Sequence, residues 1–191
     1  MLVKPSMSDE LPMSDELSMS DELPNPDEEL VNVVLRPATV HDQALLAQAT
    51  LDNLNWDGER FDEQDLWQTP GFQRYFQPWP GEHDFGFIAT HARQRAVGAI
   101  WLKFFRRPDT GYGFVDEQIP ELSVWVAGPY RGQGIGGQLI HAAVDEAQRR
   151  GLAAICLSVK DGNPAVRLYE RHRFRPAGPD AAAGTLIRHL G

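Results

Sequence analysis

The chain has 191 residues, 42% of them hydrophobic, which suits one α/β domain and is short for two. No run approaches the roughly 18 apolar residues of a membrane span, and no apolar segment follows a basic start, so a cytoplasmic location and no membrane partner are expected. Cys156 is the single cysteine, which excludes an internal disulfide and a cysteine-built metal site.

The net charge of -9 is unevenly spread. Residues 1–30 hold nine acids against Lys4, whereas the remaining 161 carry 18 acids and 17 bases. That near-neutral remainder lacks the basic excess of a nucleic-acid binder, so no nucleic-acid partner is expected. Met7 to Pro24 is one hexapeptide three times over, MSDELP-MSDELS-MSDELP. With few aliphatics and no aromatics it cannot bury a core, so residues 1–30 read as a disordered acidic tail and 31–191 as the domain.

In chain order, Val31 to Thr39 alternates apolar residues and reads as a strand. Thr39 can cap a helix through VHDQALLAQAT. Residues 52–84 mix aromatics with acids. DFGFIATH and AVGAIWLKFF read as a hairpin, residues 106–120 as a loop, and Glu121 to Val126 (ELSVWV) as the next strand. The glycine-rich PYRGQGIGGQL follows. A helix then runs through GGQLIHAAVDEAQRR and stops at Gly151. LAAICLSV is a buried strand, NPAVRLYERH a short helix with Pro164 in its first turn, and TLIRHL a last strand.

The glycine stretch fits two patterns, G-x-G-x-x-G through Gly132, Gly134 and Gly137, and Arg-x-x-Gly-x-Gly through Arg131, Gly134 and Gly136. Both imply phosphate binding, because bare backbone lets N–H groups approach an anion at the positive end of a helix. A Walker loop is excluded, since no Lys-Ser/Thr pair follows. The dinucleotide reading can use Asp161 as its acid, but it needs further βα units that the chain downstream is too short to supply.

Arg131 to Gly136 after ELSVWV resembles motif A of the GNAT N-acetyltransferase superfamily, and NPAVRLYERHRFR resembles its motif B. The resemblance covers roughly residues 31–190. It implies a single α/β (α+β) domain, with a mixed, mostly antiparallel twisted sheet of six to seven strands splayed at the cofactor strand and about four flanking helices. Two departures stand out: Arg173 replaces the glycine usual before Phe174, and Gly128-Pro129-Tyr130 replaces Pro-Glu-Tyr.

The resemblance implies acetyl-CoA as co-substrate. The amides of Gly132, Gln133, Gly134, Ile135 and Gly136 would hold its pyrophosphate, with Arg131 beside it. The main chain of Val124, Trp125 and Val126 would pair with the pantetheine arm, as would Asn163. Gly137 is then left as a helix-packing residue. Between Arg131 and Arg175 there are eight bases and four acids, an excess suited to an anionic cofactor. Tyr169 would serve the leaving thiolate and the N–H of Val126 the oxyanion. Glu121 would be the base, with Glu117 and Asp116 as substitutes.

The eight acids of residues 52–84, interleaved with Trp56, Phe61, Trp67, Phe72, Tyr75, Phe76 and Trp79, suggest a cationic small amine as acceptor. Polyamine, aminoglycoside and amino acid derivative all fit. A protein N-terminus or lysine, and a non-catalytic acyl-CoA-binding sensor, stay open as alternatives. The scattered histidines show no ligand spacing, so no metal is expected; a homodimer is implied by the resemblance only.

Overall fold

The computed structural model describes residues 33–91 and 95–191. The hexapeptide repeat and the hairpin turn at 92–94 lie outside the described residues. In chain order the elements are β1 (Val34–Pro37), a 3-10 turn (Val40–Asp42), α1 (Gln43–Leu54), α2 (Glu63–Gln68), α3 (Pro70–Gln73), β2 (Phe85–Thr90), β3 (Ala96–Lys103) and β4 (Glu121–Val126). A second 3-10 turn (Gly128–Tyr130) leads to α4 (Ile135–Arg149), β5 (Ala154–Ser158), α5 (Val166–Arg171), β6 (Arg175–Pro176) and β7 (Thr185–His189).

The strands form one sheet in the order β1-β2-β3-β4-β5-β7-β6, antiparallel except where β4 meets β5. Each face of the sheet carries its own core. On one face Ile135, Leu139, Ile140, Ala143, Val144 and Ala147 of α4 pack with Leu122, Ile155, Leu157, Tyr169 and Phe174. These are the α4 positions at helical spacing, and each buried large aliphatic contributes roughly 1.5–3 kcal/mol relative to exposure. On the other face Leu46 and Ala49 of α1, with Phe72, Phe76 and Trp79, cover Ile88, Ala99, Trp101 and Trp125.

Local chemistry sets the boundaries. Thr39 caps the turn before α1: its side chain accepts from the N–H of His41, while Asp42 accepts from the Thr39 N–H at 2.8 Å. Arg36 grips Asp42 through two bonds of 2.8 and 2.6 Å. Gly151, at φ 72°, ends α4 as expected. The helix expected over NPAVRLYERH begins only at Val166, because Asn163 accepts from the Ala165 N–H at 2.9 Å and holds the preceding residues in a turn. There are five α-helices rather than about four among the described residues, since residues 63–73 supply two short ones. The two-residue β6 was not expected.

At Arg173 the family's glycine is missing, yet the backbone still turns left-handed, with φ 65°. Phe174 behind it is fully buried and Arg173 itself is exposed. A non-glycine residue is therefore held in a conformation that costs about 1 kcal/mol or more.

Candidate active site

The site begins where the sheet comes apart. β4 and β5 share the register pair Glu121–Cys156, reinforced by the Cys156 N–H donating to Pro120 at 3.0 Å. Beyond it toward Val126 the two strands diverge. Just past this vertex the loop before β4 lies on β5 so closely that a Cβ on Gly113 would sit 2.5 Å from the Leu157 carbonyl carbon.

The β3–β4 ladder decides which amides face the gap. Ala127 N–H bonds to Val97, and Trp125 stands opposite Ala99, so Trp125 directs its backbone groups to β3. The main chain of Val124 and Val126 therefore faces the gap, and that of Trp125 does not. Two side chains reach those free carbonyls: Asn53 donates to Val124 at 3.1 Å and the Nε of Arg131 to Val126 at 3.0 Å. Trp125 contributes its side chain instead, its indole N–H donating to Asp52 at 2.7 Å and tying α1 to β4.

At the wide end of the gap lies the glycine loop. Gly132 and Gly134 have φ 81° and 83°, which other residues adopt only under strain. The first intrahelical bond of α4 runs from Gln138 N–H to Gly134, so the N–H groups of Ile135, Gly136 and Gly137 have no helical acceptor. Together with the helix dipole these free N–H groups make the entrance of α4 a positive end, to which Gly137 adds a donor that the motif reading did not count. Gly136 and Gly137 serve packing as well, since a Cβ on either would meet Leu168 at 3.1 Å or His172 at 3.3 Å. Of the expected cradle, Arg131 and Gln133 are tethered, to Val126 and Pro129 respectively.

Glu121 and Tyr169 approach from opposite faces of the sheet. Glu121 shares its face with Trp125 and α1, whereas Tyr169 belongs to the core under α4. Glu121 is 4% exposed, and its Oε1 accepts from the Tyr75 hydroxyl at 2.9 Å and the Gly113 N–H at 3.0 Å. Its Oε2 is buried without a hydrogen-bond partner among the described residues. Burial pushes this carboxyl up to about 7, against the pull of the two donors and Arg74. Tyr169 is 8% exposed, and burial lifts its phenol to about 12. Asn163 uses its oxygen on Ala165, leaving its amide donors available.

The substitute bases stand apart. Glu117 accepts from the Arg107 N–H at 3.1 Å and Asp116 from the Gln118 N–H at 2.9 Å, so both serve the exposed loop. The acids of residues 52–84 are mostly engaged within the fold. Asp52 holds Trp125 and Gln48, Asp57 pairs with Arg60 and Lys160, Asp62 and Asp65 cap α2, and Asp84 is buried against Lys103 at 2.7 Å. Phe72, Tyr75, Phe76 and Trp79 are likewise core residues. Cys156 is buried, with its thiol pushed up to about 12. Among the described residues no group of three or more His, Cys, Asp or Glu could hold a metal, and no helix is long and apolar enough to cross a membrane.

A mixed sheet parted between β4 and β5, with free N–H groups at the entrance of α4, defines an α/β domain. The model of the acetyltransferase (GNAT) family matches residues 49–174. This chain belongs to that family.

The mycothiol acetyltransferase of Corynebacterium aurimucosum is 33% identical over 119 residues, 59% of this chain and 37% of that protein. The chain thus spans little more than a third of that relative's length. The Salmonella typhimurium acetyltransferase yncA, solved with its cofactor acetyl-CoA, superposes with a TM-score of 0.59 at 18% identity, over 84% of this chain and 95% of that one. The spermidine/spermine N-acetyltransferase SpeG of Vibrio cholerae gives 0.55 at 17% identity, over 85% and 95%. At such identities the likeness is one of fold.

Proposed function

We propose that this chain moves the acetyl group of acetyl-CoA directly to a primary amine. The observation that carries this is the parting of β4 from β5 beyond Glu121 and Cys156, with the glycine cradle at its open end. The donors fit the ligand: free N–H groups at the start of α4 suit a pyrophosphate, and the outward-facing amides of Val124 and Val126 suit the two amides of a pantetheine arm. Asn163 adds a donor from the far side.

Glu121 is the base. A free alkylamine has a pKa near 10, so it must lose a proton before it attacks. A carboxylate pushed up to about 7 takes that proton far more readily than an ordinary one. The N–H that meets the oxyanion is that of Val126, whose main chain faces the gap. Tyr169 donates a hydrogen bond to the departing thiolate. With its phenol at about 12 and a thiol near 8.5, the hydroxyl stabilises the sulfur while keeping its own proton.

The acceptor is a cationic small amine. Glu121 and Asp52 lie on the side of β4 that α1 covers, and the SpeG likeness is compatible with such a substrate. Most acids in residues 52–84 are engaged within the fold, Asp52 itself with Trp125 and Gln48, so the preference rests on the negative charge that Asp52 and Glu121 place beside β4.

A thiol-reactive dye that reports free CoA, read across polyamines, aminoglycosides, amino acid derivatives and uncharged or acidic amines, tests both levels. Thiol release with cationic amines is expected. Preference for an uncharged or acidic amine would overturn the acceptor class. Acetyl-CoA binding without release for any amine would replace the enzyme reading with a sensor.

A further inference from the structure

Tyr75 lies outside every motif, 46 residues before Glu121. Its hydroxyl donates to Glu121 Oε1 at 2.9 Å and accepts from the Tyr112 N–H at 2.6 Å. The Gly113 N–H reaches the same Oε1 at 3.0 Å. Both donors to the carboxylate thus fall on one oxygen, and the other is left bare. Gly111 covers that bare Oε2, and a Cβ there would lie only 2.1 Å from it, so nothing larger than glycine fits.

We propose that Tyr75 is a positioning residue for the acyl transfer: by donating to Oε1 it fixes the orientation of the Glu121 carboxylate, and it ties the 110–113 segment to that carboxylate. This rests on the reading of Glu121 as base.

The geometry is held from several sides. Tyr75 stacks on Tyr112, with ring centroids 5.8 Å apart, and meets Phe105 edge-on at 5.3 Å. Its carbonyl accepts from the buried Trp101 indole at 2.8 Å. Neighbouring Arg74 donates to the Thr110 carbonyl and pairs with Asp109 at 2.8 Å. The charged or titratable groups around Glu121 are therefore Arg74 and Tyr75 after α3, Tyr112 in the loop, Cys156 on β5 and Lys103 on β3. Lys103 is already neutralised by Asp84. The Tyr75 hydroxyl is the one side-chain donor bonded to Glu121 among the described residues.

The test is a titration of the Glu121 side-chain carboxyl by carbon-13 NMR on the full chain, its signal assigned by loss in Glu121→Gln. Alongside it, kcat/KM is measured against pH with acetyl-CoA and spermidine. In Tyr75→Phe the ring packing survives but the donor is gone. The carboxyl then titrates about one pH unit higher, and the acid limb of kcat/KM moves up with it while the alkaline plateau is kept. If Tyr75→Phe does not fold, 4-aminophenylalanine at position 75 keeps a weaker donor, and a smaller shift in the same direction is expected. A carboxyl signal that stays in place, or that moves without the rate profile, overturns the proposal. An acid limb that persists in Glu121→Gln overturns the base reading instead, whereas no turnover of spermidine by wild type overturns only that choice of acceptor. The NMR shift then reports only whether Tyr75 orients this carboxylate, and its absence still overturns the proposal.

Discussion

The Nε–H of Arg131 donates to the carbonyl of Val126 at 3.0 Å, so the arginine before the glycines is fastened to the open edge of β4. It thereby fixes the spacing between strand and loop, and its remaining guanidinium donors stay available to an anion. Replacing Arg131 with Ala should raise KM for acetyl-CoA about 10-fold with a smaller change in kcat, the loss of one charge-assisted contact. Lysine should recover only part of this, because one ammonium cannot both hold the carbonyl and face the anion. Steady-state kinetics with varied acetyl-CoA checks both variants.

The four glycines should not be equivalent. Gly134 needs φ 83° and ends the loop, whereas Gly137 is helical and only approaches the His172 ring. Gly134→Ala should lower stability by about 1 kcal/mol and weaken acetyl-CoA binding. Gly137→Ala, whose neighbour can swing aside and whose helix gains propensity, should change stability by less than about half of that. Urea midpoints and calorimetric binding distinguish them.

Arg173→Gly should be stabilising. The substitution relieves a left-handed non-glycine residue whose exposed side chain forms no ion pair among the described residues. The gain is about 1 kcal/mol at most, since glycine also adds freedom to the unfolded chain. A rise of a few degrees in Tm is the expected readout.

Tyr169→Phe should lower kcat about 100-fold and leave KM for acetyl-CoA nearly unchanged. The phenol stays protonated well beyond neutrality, with burial holding it at about 12, so the deficit should be the same from pH 6 to 9. The hydroxyl has no hydrogen-bond partner among the described residues, so Tm should scarcely move. Near-normal turnover would remove Tyr169 from the chemistry.

Glu121 should make the protein less stable as pH rises. Unfolded, its carboxyl titrates near 4.3; folded, burial holds the proton up to about 7. Between those values the native state binds more protons than the unfolded state, so stability falls with increasing pH. The whole window is worth roughly 3–4 kcal/mol. Glu121→Gln, neutral throughout, should gain on wild type between about pH 4.5 and 7 and hold that gain above it. Urea unfolding at several pH values gives the difference directly.

The elements around the motifs were legible because their signals are local. ELSVWV forms β4 over the very residues expected, and the helix after the glycines stops at Gly151. The main chain of Val124 and Val126 faces the gap and that of Trp125 does not, a distinction hidden from the sequence, which shows strand alternation without showing which edge is paired. Asn53 on Val124 and Tyr75 on Glu121 were invisible, because each joins positions 71 and 46 residues apart. The individual roles of the acids in residues 52–84 were hidden for the opposite reason. Composition counts carboxylates without revealing that Asp62 and Asp65 cap a helix or that Asp84 neutralises a buried lysine.

Because β4 and β5 share so short a junction, the sheet is two half-sheets joined at one corner, β1 to β4 and β5 with β7 and β6. Such halves can open as separate cooperative units, and slow amide exchange should show two protection classes that meet near Cys156. A molecule carrying amides along the gap would supply the missing rungs. Its binding should then merge the two classes into one, so that the ligand acts as a removable strand of the fold.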